Sequence, residues 1–273
     1  MAFKDVLALA LPGKEDQSAI DAAQTLAAAA KGVATVALFE VQLDAFYDAS
    51  GYIAADVVAA ENERIHTEFA STLATLQAAV GPGVRVRAVT TPRSLLGLRA
   101  GVNARYADVA VVIQPEDPEH VALAEGALFG AGRPLLVAPR AWGQRPIGRT
   151  IVIAWDASRE AALAVSAASG LLDAADKIFV VTVDAKPSFS GHGETPGADI
   201  AAHLARRGLK VETRNIDGMG RRESTVLLDE CRVLGADLLV MGGYGHSRLQ
   251  QIVLGGVTRD VLKNAALPVM LAH

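Results

Sequence analysis

The residues best suited to chemistry lie between Gly242 and Val261, in "GGYGHSRLQQIVLGGVTRDV". Glycines flank a stretch whose apolar pattern predicts a helix from Ser247. Glycine costs about 0.5–1 kcal/mol relative to alanine inside a regular element, so clustering it here means that backbone must approach something closely. A helix start with bare N–H groups and the positive end of the helix dipole binds anions. Gly245 leaves such groups unobstructed, and Ser247 is suited to cap the helix. Gly255 and Gly256 interrupt the helix, which restarts near Thr258, whose hydroxyl can cap or meet an anion. The segment therefore offers two N–H-rich turns, from Gly245 and Gly255, to one polyphosphate. Packing is the competing reading, because a strand-to-helix turn often needs glycine for its backbone alone.

Three familiar loops do not fit. There is no Gly-Lys-Ser/Thr of a P-loop, and Arg248 stands where a dinucleotide fingerprint needs its third glycine. Gly245-His246-Ser247 is close to a nucleophile elbow, but Leu249 replaces the closing glycine and no acid–His pattern follows. The six histidines show no metal-ligand spacing. Arg221 and Arg222, at a helix start, can reach toward phosphate or simply face solvent.

The elements that must position this segment are written twice. "YADVAVVIQ" (106–114) parallels "GADLLVMGG" (235–243), and the stretch from Asp5 parallels that from Thr150. Such self-similarity marks a duplicated unit. The expected units are 1–143 and 148–273, with "RAWGQRPIG" (140–148) as a polar linker. In the second, strands are predicted at 150–155, 178–184, 209–216, 237–242 and 267–272, and helices at 159–174, 198–207, 221–234 and 247–264. In the first, strands are predicted near 5–11, 33–41, 84–90, 108–113 and 134–138, with a much longer second helix over about 52–80. Near-continuous Val/Ile/Leu strands alternating with helices specify a parallel sheet covered on both faces. The fold class is thus α/β: two tandem flavodoxin-like or Rossmann-like units, each with five parallel strands and about four helices. Ligands in such sheets sit beyond the carboxyl ends of the strands, where strand order reverses.

Bulk properties restrict the partners. A net charge of −4 and a pI near 5.9 argue against nucleic acid. No run approaches the ~18 apolar residues of a membrane span. One cysteine, Cys231, excludes an internal disulfide and suits a reducing compartment. The expectation is a cytoplasmic protein.

The spacing G-x2-G-x9-G through Gly242, Gly245 and Gly255 resembles the nucleotide-binding motif of the universal stress protein family. "AWDASRE" (154–160) is similar to that family's first-strand end, and "GADLLVMGGYGHSRLQQIVLGGVTRDVLKNAALPVML" to its C-terminus. The resemblance implies ATP or a related adenine nucleotide, with Mg²⁺ as a possible companion, in the second unit only. It places Asp156 at the nucleoside beside Ala154 and Trp155, and Val183 at the adenine. Met241, Gly242, Tyr244 and Gly245 would line the ribose and first phosphates, and Gly255, Gly256, Val257 and Thr258 the outer ones. Two positions depart from the family pattern. Gly256 stands where the family has Ser or Thr, and the bulky Trp155 where it often has a small residue. The first unit lacks the motif, and Glu116, Asp117 and Glu119 would repel phosphate there. It is expected to bind no nucleotide and to pair with the second unit as protomers pair in family dimers. The implied role is a stress-response binding and regulatory module, with a homodimer and a protein partner both possible. A nucleotide-free interaction protein and a weak ATPase or phosphotransferase are the alternatives. No catalytic or metal-ligating residue is assigned.

Overall fold

The computed structural model describes residues 3–13, 16–44, 47–48, 51–52, 55–81, 83–188, 192–243 and 256–273. The first half contains β1 (Asp5–Ala10), α1 (Gln17–Ala29), β2 (Val33–Gln42), β3 (Tyr47–Asp48), β4 (Gly51–Tyr52), α2 (Ala55–Ala79), β5 (Val84–Pro92), α3 (Leu96–Ala104), β6 (Val109–Ile113), α4 (Pro118–Gly130) and β7 (Leu135–Ala138). The second contains β8 (Thr150–Ala154), α5 (Arg159–Ala167), α6 (Ser169–Leu172), β9 (Lys177–Val183), α7 (Ala198–Arg206), β10 (Val211–Ile216), α8 (Glu223–Val233), β11 (Leu238–Gly242), α9 (Gly256–Asn264) and β12 (Val269–Ala272).

The strands form one ten-stranded sheet ordered β10-β9-β8-β11-β12-β7-β6-β1-β2-β5, and β3 and β4 pair separately. Numbered within each half, both five-strand sets run 3-2-1-4-5. Strand order reverses between β1 and β6 in the first half and between β8 and β11 in the second. All pairings within each half of the main sheet are parallel, and only β12 against β7 is antiparallel, with Met270 opposite Leu136. The two tandem units therefore meet edge to edge and merge their sheets. Gln114 adds a side-chain hydrogen bond across the seam, donating from Nε2 to the carbonyl of Leu262 at 2.5 Å.

Burial follows the sequence pattern. Every residue of β6 (VAVVI), β7 and β12 is buried, as central strands covered on both faces require. The outer strands β5 and β10 are far more exposed, with Arg85, Arg87, Glu212 and Arg214 along them. Charge on an edge strand discourages further pairing. Alternate residues of one strand enter different apolar layers: Val6, Ala8 and Ala10 go to one, Leu7 and Leu9 to the other. Both layers run through both halves.

The duplication extends to its fasteners. Asp108 Oδ2 accepts the N–H groups of Lys4 and Asp5 at 2.8 and 3.0 Å. Its counterpart Asp237 accepts those of Gly148, Arg149 and Thr150 at 3.0–3.1 Å. Each aspartate ties the entry of a fourth strand to the start of the first.

Four details differ from the sequence reading. The β3–β4 pair lies where only loop was expected, and α2 begins at Ala55 rather than at 52. The helix expected at 159–174 has a break at Ala168. The linker carries Trp142 with only 6% of its surface exposed, so the segment is anchored although its composition is polar.

Candidate functional site

At the second reversal point, β8 lies between β9 and β11. Ala154, the last residue of β8, pairs with Met241 on one side and Val181 on the other. Val183 ends β9 two residues further on. Trp155 continues the ladder by donating its N–H to the carbonyl of Val181 at 2.9 Å. Its ring is half-buried against an apolar layer. The chain then turns sharply through Ala157, which takes a positive φ of 61°. In that turn Asp156 is exposed, and its Oδ1 accepts the N–H of Ser158 at 2.9 Å. Its other oxygen accepts nothing among the described residues. Ser158 caps α5, its hydroxyl accepting the N–H of Ala161 at 3.1 Å.

Gly242 ends β11 against this cap. A Cβ at Gly242 would lie 2.6 Å from the backbone nitrogen of Ala161 and 2.9 Å from the carbonyl carbon of Glu160. No side chain fits there, so the first turn of α5 is sufficient reason for this glycine. Gly256 differs: a Cβ there meets nothing within 4 Å. It opens the described part of α9, where it is exposed, Val257 is half-buried and Thr258 is buried. Tyr244, Gly245 and Gly255, also expected in the site, lie outside the described residues. Asp260 of α9 faces Arg222 and the Ser224 hydroxyl, each at 3.5 Å, so this end of α8 is tethered to α9. Arg221 pairs with Asp229 at 3.0 Å.

Asp184 carries a role that the sequence reading did not assign. It takes φ 50° just after β9, and its Oδ1 accepts the N–H of Gly218 at 2.7 Å. A Cβ at Gly218 would sit 2.6 Å from Asp184 Oδ2. Asp184 thereby fixes the loop after β10 beside the crevice. The signal was an aspartate directly after a strand followed, 34 residues on, by a glycine after the next strand.

The first reversal point is built differently. Asp16, just before α1, is 3% exposed, and His120, in the first turn of α4, is 5% exposed. His120 Nε2 lies 3.0 Å from Asp16 Oδ1, and Nδ1 contacts Asp117. Asp16 Oδ2 also accepts the N–H of Leu11 at 2.6 Å, joining the end of β1 to the cluster. Burial alone would lower the His120 pKa. Hydrogen bonds and charge from Asp16 and Asp117 outweigh it and raise the value to about 9. The imidazolium thus donates from both nitrogens. The acidic residues that seemed to repel a ligand include one, Asp117, that is consumed internally as partner of His120 and cap of α4.

Among the described residues no group of His, Cys, Asp and Glu can hold a metal ion, and no helix is long and apolar enough to cross a membrane. The fold and this site define a tandem, doubly wound α/β protein with its candidate crevice at the second reversal point. The model of the Universal stress protein family matches residues 148–273. The match takes in the second unit, a little under half of the chain. It is 36% identical over 67 residues to a universal stress protein of Synechocystis, covering 24% of this chain and 22% of that one. It is 36% identical over 64 residues to one of Methanocaldococcus jannaschii, covering 23% and 36%. The matched stretches thus span well under half of either relative. The fold resembles the crystal structure of a universal stress protein from Archaeoglobus fulgidus, with a TM-score of 0.70, 13% identity, and coverage of 98% of this chain and 96% of that one.

Proposed function

We propose that residues 148–273 form a binding unit for ATP or a related adenine nucleotide, and that residues 1–143 are a ligand-free partner unit fused to it. The observation that carries this reading is the contrast between the two reversal points. In the first, an internal Asp16–His120–Asp117 cluster joins the end of β1 to α4. At the corresponding place in the second, Asp156 is exposed and keeps a carboxylate oxygen unused among the described residues. A carboxylate so placed suits ribose hydroxyls. The G-x2-G-x9-G spacing and the family match over 148–273 support the same unit. Mg²⁺ would accompany the phosphates. No general base faces a reacting water in this reading, so the protein acts as a nucleotide-dependent binding module in a stress response.

A second reading follows from Gly242, whose absent side chain is already required by α5. If Gly242 is structural, the unit can be a nucleotide-free interaction domain. Isothermal titration with Mg-ATP of protein stripped of nucleotide separates the two. Saturable binding that weakens about tenfold or more in Asp156→Ala supports the first, as loss of a charged hydrogen-bond acceptor predicts. No heat up to millimolar ATP supports the second.

A further inference from the structure

Gly243 follows β11 at the start of the glycine segment, and it is buried. Part of what covers it belongs to the other unit. A Cβ at Gly243 would lie 3.3 Å from Leu128 Cδ2, 3.4 Å from the carbonyl oxygen of Ala272 and 3.8 Å from Leu271 Cβ. Leu128 is buried in the last turn of α4. The next residue, Phe129, meets His273 edge to face, with ring centroids 4.8 Å apart and 84° between the planes. His273 Nδ1 in turn donates to the carbonyl of Gly243 at 3.1 Å. Gly243 is therefore held from two sides. Its own sheet takes its N–H on the carbonyl of Ala272 at 2.9 Å, and α4 of the first unit supplies Leu128 and Phe129.

The antiparallel seam dictates this arrangement. With Leu271 opposite Leu135, the carboxyl end of β12 lies beside the amino end of β7, and α4, which leads into β7, finishes there. The same helix acts on α9, at the other end of the glycine segment. Burial raises the Glu125 pKa, and the charge of Arg259 in α9 pulls it down across the seam.

The seam repeats itself with one difference. Gln114 takes the place of Gly243 in the first unit, its N–H donating to the carbonyl of Ala138 at 2.8 Å. Its side chain reaches α9 and donates to the carbonyl of Leu262 at 2.5 Å. Leu262 and Leu128 each stand two residues before their helix ends. One unit is thus braced by a side-chain hydrogen bond, the other by a bare backbone packed under a leucine. Glycine has no side chain to restrict its own backbone, so the packing around Gly243 must do so. Backbone held in its binding conformation loses less freedom when a ligand arrives.

We infer that α4 of the first unit positions the nucleotide-binding backbone of the second, with Leu128 as the positioning residue. This rests on the nucleotide reading above and adds to it: the affinity of residues 148–273 for ATP depends on a helix outside them.

Calorimetric titration of the full chain with Mg-ATP compares wild type with Leu128→Ala, Leu128→Met and His120→Leu. His120 lies at the opposite end of α4 and contacts Asp16 and Asp117, so its loss weakens the first unit away from Gly243. Expected is about a tenfold loss of affinity in Leu128→Ala, a size typical of coupled sites. Leu128→Met, which keeps the bulk, and His120→Leu bind as wild type does. By reciprocity, saturating Mg-ATP slows hydrogen exchange over residues 118–133 of the unmodified chain, a measurement that needs no variant to fold. Wild-type affinity in Leu128→Ala, an equal loss in His120→Leu, or protection confined to residues 148–273 would each overturn the inference while ATP still binds. Absence of binding in wild type would end the nucleotide reading and this inference with it.

Discussion

His120 Nε2 and Asp16 Oδ1 meet at 3.0 Å across 104 residues of sequence, with both side chains almost fully buried. The contact joins α4 to the turn before α1 at the first reversal point, where an α/β sheet would otherwise hold a ligand. The pair gives the first unit a buried, internally paired polar centre at that point.

That contact makes stability depend on pH. The folded His120 pKa, about 9, exceeds the ordinary 6.5, so its stabilisation is fully present below about pH 6.5 and is lost as pH rises through about 9. Urea midpoints measured from pH 6 to about 9.5 should fall across that window. His120→Leu should abolish this fall. It should also cost about 3 kcal/mol near neutral pH by leaving the buried Asp16 unpaired.

Gly256 is the position where the family pattern has a hydroxyl and this chain has none. A Cβ there meets no atom within 4 Å. Gly256→Ser should therefore fold normally and tighten ATP binding by roughly tenfold to a hundredfold, the worth of one hydrogen bond to a charged group. Calorimetric titration beside wild type checks this.

Helices α3 and α4 cross through Gly97 and Gly101 on one side and Gly126 and Gly130 on the other. A Cβ at Gly126 would lie 2.0 Å from the carbonyl oxygen of Gly97, and one at Gly101 would lie 2.6 Å from that of Gly126. Both obstacles are backbone, so the helices must separate to admit a methyl group. Gly126→Ala should lower unfolding stability by about 1–3 kcal/mol, seen as a lower urea midpoint.

Asp237 holds three backbone N–H groups of the second unit's entry strand, and Asp108 holds two of the first. Asp237→Ala should destabilise by about 2 kcal/mol or more through those lost acceptors. Chemical denaturation should show Asp108→Ala to be the milder change, since its hydrogen bonds are exposed.

Much of the architecture was legible in the sequence. The repeat of Asp108 by Asp237 and the buried runs of β6 and β11 announced two parallel units, because strands covered on both faces must be apolar throughout. What the residues could not announce was their union in one sheet. Val137 and Val269 have the same composition whether their strand edges are open or paired. The need for a bare backbone at Gly242 was legible, because the close approach of α5 dictates the residue type there. Long-range pairing was illegible: Asp117 was read as a charge that repels phosphate, because nothing local placed Asp16 beside its neighbour His120, 104 residues away. Trp142 was hidden for the same reason, one buried side chain within a polar segment.

The central claim is that one of two similar units binds nucleotide. Equilibrium dialysis of the full chain with radiolabelled Mg-ATP tests it most directly by counting sites. The account predicts saturation at one ATP per chain, weakened about tenfold or more in Asp156→Ala and unchanged in a folded His120→Leu variant. Saturation at two per chain, or binding that survives Asp156→Ala and disappears with His120→Leu, would contradict it.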